Sequence, residues 1–362
     1  MYNYFIASCI STNHENYLEN NIEIVKYFHY LSGPSLKINN IVLLKIIEFL
    51  RHKVDDVSVV HNPLDPTLID CISSNNIYIG TYDKKLLKND KIFYNFFDTN
   101  CFNMSDCEIS TMHRIKHNKH IENAKLCLSE GKKIHDLWEN IYIKNIDFEK
   151  LNLIREKYID IVFKNVIYYK EAKVCFRYFG SVSGYGSINY IPDIINRRKK
   201  VYYIKGRPGT CKSSFMKALL EEGRKRGIDA IVYPCASDPT SLDMVEFPEL
   251  DVCFFDSTPP HEFFPIKDTD EIIDLYEYLL PRGYDEANAK ELNEIKQLYN
   301  ETIALGNYYL SKALYEQNCV ENLYLSKVDF FKLSNVIDEI IYTINKEYQS
   351  QSWLVTFSFK LY

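Results

Sequence analysis

Much is missing from this chain of 362 residues, and each absence removes a class of protein. No stretch reaches about 18 consecutive apolar residues, the length a helix needs to cross a bilayer, so no membrane span is expected. Ten cysteines are present without a single Cys-x-x-Cys pair. The closest two, Cys101 and Cys107, are too far apart for the usual zinc spacing. Met1 to Ile10 lacks a basic region followed by a long apolar run, so a secretory signal is not expected and a reduced, cytoplasmic protein is. The formal charge of −6 leaves no broad basic surface, and nucleic acid is not indicated. The run Arg197-Arg198-Lys199-Lys200 reads as a solvated approach to a strand. What remains is a chain long enough for two domains, with 46% hydrophobic residues to give each a core.

The chain repeats itself. Shifted by 173 positions, residues 4–83 align with 177–256: Asn16-Tyr17 falls on Asn189-Tyr190 and Gly33 on Gly206. In the same register Asp65-Pro66-Thr67 falls on Asp238-Pro239-Thr240, Asp70 on Asp243, and Asp83 on Asp256. A second echo has an offset of 182: Glu139-Asn140-Ile141-Tyr142 matches Glu321-Asn322-Leu323-Tyr324. Unbroken register with a repeated order of apolar blocks is the signature of a duplicated unit. The predicted modules are 1–172 and 173–362, packed against each other within the chain.

In the second module, Val201–Ile204 predicts a buried strand, Ser213–Arg226 a helix with Phe215, Met216, Leu219 and Leu220 on one face, and Gly227 its C-terminal stop. Ala230–Tyr233 and Asp251–Asp256 predict two further strands, and Val174–Val182 another upstream. From Asp270 the pattern turns helical. The first module follows the same plan, with strands at Tyr27–Leu31, Val57–Val60 and Ile77–Tyr82 and a helix at Ile41–Leu50. An α/β fold is expected: two tandem P-loop-like modules with mostly parallel sheets, each followed by a long helical segment.

Between the strand and helix of the second module lies Gly206-Arg207-Pro208-Gly209-Thr210-Cys211-Lys212-Ser213. It meets the phosphate-loop pattern G-x-x-x-x-G-K-[ST] except at Cys211, which stands in place of the last glycine. Backbone N–H groups of such a loop cradle phosphate oxygens at the helix start, and Ser214 adds the next one. Lys212 would reach the β- and γ-phosphates and the Ser213 hydroxyl would hold Mg²⁺. A thiol at Cys211, in the field of a helix N-terminus, is a candidate for a lowered pKa.

Val252-Cys253-Phe254-Phe255-Asp256 has the form of the apolar strand whose terminal acid meets the metal, with Asp256 as ligand and Ser257 and Thr258 beside it. His261-Glu262 is the candidate water-positioning or general-base pair, with Lys212 the third catalytic candidate. Arg207 is a candidate phosphate contact, and Arg282, before Gly283 in a connection, a candidate for transition-state charge. Asp238 and Asp243 recur in the first module and read as structural. That module carries Leu36, Ile38, Asn39 and Asn40 at the loop positions, so it is a degenerate copy without the phosphate-binding lysine.

The runs KGRPGTCKSSFMKALLEEGRKRG and PCASDPTSLDMVEFPELDVCFFDSTPPHEFFP resemble the uncharacterised tandem P-loop ATPases of Firmicutes, labelled predicted ATPase or nucleotide kinase. The resemblance implies two repeats and nucleotide binding through Gly206, Gly209, Lys212 and Ser213 with Asp256 on the metal. The expected function is Mg²⁺-dependent binding and hydrolysis of a nucleoside triphosphate. No Asn-Lys-x-Asp guanine-reading motif occurs, which favours ATP over GTP. The alternatives are a small-molecule or nucleotide kinase with an unknown acceptor, and a non-hydrolysing nucleotide sensor or scaffold with a protein partner.

Overall fold

A computed structural model describes residues 1–9, 17–21, 25–54, 56–74, 77–82, 92–95 and 108–358; Asp83, Cys101 and Cys107 lie outside the described residues. The first half contributes Tyr2–Tyr4 (β1), Leu18–Asn21 (α1), Tyr27–Tyr30 (β2), Leu36–Leu50 (α2), Ser58–His61 (β3), Ile69–Ser74 (β4), Ile77–Gly80 (β5) and Ile92–Asn95 (β6). Two helices follow, Glu108–Ile143 (α3) and Phe148–Phe163 (α4). The second half opens with Val174–Phe176 (β7), the hairpin Gly180–Ser183 (β8) and Gly186–Asn189 (β9), and Ile191–Ile195 (α5). It continues with Lys200–Lys205 (β10), Lys212–Lys225 (α6), Ala230–Pro234 (β11), Leu242–Phe247 (β12), Val252–Asp256 (β13) and Glu271–Asp274 (β14). Leu275–Leu279 (α7), Tyr284–Ala287 (α8), Ala289–Leu325 (α9) and Phe330–Ser358 (α10) complete it.

Two six-stranded sheets result, ordered β1-β3-β4-β5-β2-β6 and β7-β11-β12-β13-β10-β14. Order, direction and register agree between them. Ser58 pairs with Ser73 as Ile231 pairs with Glu246, and both β3–β4 and β11–β12 carry a register shift at the same place, Val60/His61 and Tyr233/Pro234. Beyond β4 the spacing changes: Cys71 pairs with Gly80 and Met244 with Phe255, offsets of 173 and 175. The strand-paired counterpart of Asp256 is therefore Thr81 and not Asp83, as the longer turn at Pro248–Leu250 requires.

The sheets are mixed, not mostly parallel. β4 and β12 run antiparallel to both neighbours. Connections as short as Asn62–Leu68 and Pro248–Asp251 return the chain as hairpins and leave no room for a parallel crossover. Asp70, Asp243 and Glu246 interrupt the apolar runs of these strands, which hides them from a reading by hydrophobicity. Glu246 is nevertheless fully buried, accepting from Arg198 Nε at 2.6 Å, Tyr233 OH at 2.5 Å and Tyr2 OH at 3.0 Å. Ile272 and Ile273, expected in a helix, form edge strand β14 beside β10.

Each helical tail crosses to the other half's sheet. Leu151, Ile154, Tyr158 and Phe163 of α4 pack on α6 and the second sheet, whereas Leu333, Ile340 and Ile344 of α10 pack on α2 and the first. The remaining sheet faces meet each other, Tyr2, Phe28 and Tyr78 against Tyr203, Tyr233 and Phe255. α3 and α9 lie side by side, and glycines allow the approach: a Cβ on Gly131 would stand 2.7 Å from Ile303, one on Gly306 2.8 Å from Leu128. Phe5 and Tyr178, equivalent by the 173 offset, bond each other reciprocally: Phe5 N to Tyr178 O at 2.8 Å, Tyr178 N to Phe5 O at 2.7 Å. The halves are thus related as the partners of a swapped dimer within one chain.

Candidate phosphate-binding site

β10 is apolar on both faces, Val201 to Ile204 all buried, and it carries the chain into the loop 206–211. Gly206 is required by close contact: a Cβ there would stand 2.3 Å from the Thr210 hydroxyl. Buried Thr210 ties the loop to itself, accepting from Arg207 N at 3.1 Å and donating to Arg207 O at 2.8 Å. Gly209 has φ +78°, and a Cβ on it would lie 2.3 Å from the Glu139 carbonyl oxygen of α3. Half-buried Pro208 sits between these turns.

Cys211 holds φ 63° and ψ 19°, a left-handed conformation that costs an L-residue about 1–2 kcal/mol. The chain adopts the glycine conformation without the glycine. Burial pushes the Cys211 thiol up, outweighing its contact with Ser214 and the charges of Arg155 and Lys212, so the expected lowered pKa is not found. Cys211 supplies no side-chain cap to α6. The first-turn amides are left for an acceptor from elsewhere, the condition under which a helix N-terminus holds an anion.

The side chains of Lys212 and Asp256 meet at that terminus, with Ser213 in the first turn of α6. Lys212 Nζ donates to Arg207 O at 2.8 Å and lies 3.6 Å from Asp256 Oδ2. Thr258 Oγ1 donates to the other Asp256 oxygen at 2.6 Å. The Ser213 hydroxyl accepts from Leu242 N at 2.8 Å, tethering the start of β12 to the loop. Asp243, one residue on, faces the same space: burial and the charge of Asp256 push it up to about 7, against the opposing pull of Cys235 and Lys212.

The first half shows what this geometry becomes without the loop. Counted by 173, Lys212 corresponds to Asn39, yet α2 begins at Leu36, almost a turn earlier than α6. Ser35 caps it, accepting from Ile38 N at 3.3 Å. A carboxylate occupies the anion position: buried Glu321 of α9 accepts from Leu36 N at 3.2 Å, from Lys37 N at 3.0 Å and from the Ser35 hydroxyl. Asn40, equivalent to Ser213, accepts from Ile69 N at 3.0 Å, so the tether to the strand is shared by both halves.

The first half also supplies side chains that sequence reasoning missed. Arg155 of α4 donates from Nη2 to Ser214 Oγ at 2.9 Å, and Ser214 donates onward to Cys211 O at 3.0 Å. Among the described residues Arg155 has no carboxylate partner. On α3, His135, Asp136 and Glu139 bring ligand-type atoms within 4.8 Å of one another. Lys132 pairs with Asp136 and lies 3.2 Å from Asp238, so this cluster already contains a cation. Glu139 Oε1 is 3.8 Å from His135 Nδ1.

The other candidates lie around this centre. Arg207 donates to Asp285 Oδ2 at 2.9 Å and stacks over Tyr276, while Arg282 is exposed on the α7–α8 connection. Asp238 accepts from Thr240 N at 3.0 Å, as Asp65 does from Thr67 N at 3.1 Å, a turn common to both halves. Buried Ser257 is held by Phe263 O at 2.6 Å. His261 and Glu262 are not brought together on Lys212. Glu262 pairs with Lys205 at 3.1 Å, and the His261 ring stands edge-on to Phe179 at 5.0 Å. Burial lowers the His261 pKa against the charge of Asp256.

Comparisons with protein-family models, with curated proteins and with solved structures find no match, so the family resemblance carries no part of the functional reading.

Proposed function

We propose that the loop 206–213 binds the phosphates of a nucleoside triphosphate, most simply Mg²⁺-ATP, and that the second half hydrolyses it. One observation carries this: Lys212 and Asp256 meet at an uncapped helix N-terminus whose second residue is Ser213, with the lysine amine 3.6 Å from the aspartate. A hydroxyl and a carboxylate are the hard oxygen donors that suit Mg²⁺. Bound there, the ion would neutralise phosphate charge. Lys212 would exchange the Arg207 carbonyl for phosphate oxygens, and the α6 amides would hold the oxygens that gain charge as water attacks the terminal phosphorus and its bond to the bridging oxygen breaks, releasing the nucleoside diphosphate, inorganic phosphate and a proton to solvent.

Calorimetry with ATP and GTP, with and without Mg²⁺, tests binding, and release of inorganic phosphate tests turnover. Wild type is expected to bind the Mg²⁺ complex, and Lys212→Ala to bind it more weakly and to lose turnover while keeping its circular dichroism. Unchanged turnover in that variant would reject the assignment. A non-hydrolysing sensor is the second reading, favoured by the engagement of Glu262, one of the two candidate bases, in an ion pair with Lys205. Tight binding without phosphate release selects it.

A further inference from the structure

Glu139 and Glu321 are equivalent by the 182 offset, and each stands over the helix N-terminus of the opposite half. In the first half the exchange is complete. Glu321 is 4% exposed, and its carboxylate sits on two backbone amides and a hydroxyl, filling the position an anion would take at α2. In the second half the same helical turn of α3 abuts the loop: Glu139 Cα would be 2.9 Å from a Cβ on Gly209. Here the carboxylate is turned aside to His135 and is 37% exposed. The charge of Glu139 is still felt at Cys211, where it acts to raise the thiol pKa.

We infer that Glu139 is a built-in competitor for the loop 206–213, its carboxylate and the phosphates of a nucleotide excluding one another. This regulation rests on the nucleotide reading above. Two anions cannot share one set of amides, and a phosphate brought to the loop meets Glu139 within reach of the same positive end of α6. α3 runs along α9, whose far end carries Glu321 into α2.

Trp138, next to Glu139, reports on this turn, and Trp353 is the second tryptophan in the chain. In a Trp353→Phe background, Mg²⁺-ATP is titrated by calorimetry and by tryptophan emission into the parent, Glu139→Gln and Glu139→Ala. Both variants are expected to bind at least threefold tighter, and the parent's emission to change on binding. A parent that binds while both variants bind no tighter overturns the competitor and leaves nucleotide binding intact. Absence of binding in all three overturns the nucleotide reading and the competitor with it.

Discussion

The amine of Lys212 bridges the Arg207 carbonyl, at 2.8 Å, and the Asp256 carboxylate, at 3.6 Å, and so closes the loop 206–213 over its own opening. The loop thus already holds its cation beside its metal-ligand candidate. Lys212→Ala is expected to weaken Mg²⁺-ATP binding by about 10- to 100-fold, the worth of charge-assisted hydrogen bonds near 1.5–3 kcal/mol. Asp256→Asn is expected instead to remove the dependence on Mg²⁺ while leaving metal-free nucleotide binding unchanged or improved. Isothermal titration at fixed ionic strength checks both.

Asp243 and its equivalent Asp70 give the protein an unusual pH response. Burial first, then the charge of Asp256, raises Asp243 from 3.8 to about 7; burial raises Asp70 to about 6, against hydrogen bonds from Asn62 and Tyr82. The folded chain holds these protons more tightly than the unfolded chain. Their stabilising contribution is therefore complete below about pH 4 and is lost as pH rises through 6 to 7. Asp243→Asn removes one such step. The melting temperature of the variant relative to wild type should rise between pH 5 and pH 8, as thermal melts at the two values would show.

Glu321 is buried with three donors on its carboxylate, which makes it a structural acid. Glu321→Ala strands those donors at the start of α2 and is expected to cost about 2–4 kcal/mol, well above the ~1 kcal/mol of losing a helix cap in Ser35→Ala. The two residues touch, so the double variant should cost less than the sum. Urea denaturation of the four proteins reads this coupling directly.

The strand–loop–helix arrangement was legible in the sequence because Gly206, Gly209, Lys212 and Ser213 stand at fixed spacing between an apolar strand and an amphipathic helix, with Asp256 at the end of a later apolar strand. Strands β5, β10, β11 and β13 were legible because they are largely apolar on both faces, and β2 and β3 from short apolar centres at Tyr27-Phe28 and Val59-Val60. β4 and β12 were not, since each places an acid among its apolar residues and stabilises it through partners distant in the chain. Glu246 needs Tyr2, 244 positions away, and Arg198. The crossing of α4 and α10 to opposite sheets was hidden for a related reason. An amphipathic helix declares which face is apolar but not which of two equivalent sheets it covers. The echo of Glu139 in Glu321 was visible as a repeat, whereas its meaning required the contact of each with the other half's helix.

The partners of Glu246 join the two sheets, and their removal tests how firmly. Glu246→Gln leaves Arg198 and two tyrosine hydroxyls facing a neutral amide in a buried place. Breaking one side of a buried ion pair costs about 3–5 kcal/mol, less here because Arg198 retains some solvent contact. A loss of about 2–3 kcal/mol is expected by chemical denaturation. Nucleotide affinity should be unchanged, because none of these side chains contacts the loop.

Cys211 separates the two quantities most often confounded in a loop variant, stability and affinity. Its left-handed φ of 63° is a conformation glycine adopts freely, so Cys211→Gly relieves about 1–2 kcal/mol of backbone strain. The same change gives the unfolded chain more freedom, about 0.5–1 kcal/mol, and removes a side chain packed against the core beside α4 and α6. These effects oppose each other, and the melting temperature should move by only a few degrees. Affinity has no such compensation. Removing the Cβ and sulfur clears the turn through which the α6 amides reach a phosphate, and nothing else in the loop is disturbed. Cys211→Gly is expected to bind Mg²⁺-ATP about tenfold tighter at nearly constant stability. A variant that is clearly more stable but binds no better would show that the thiol strains the loop without obstructing it.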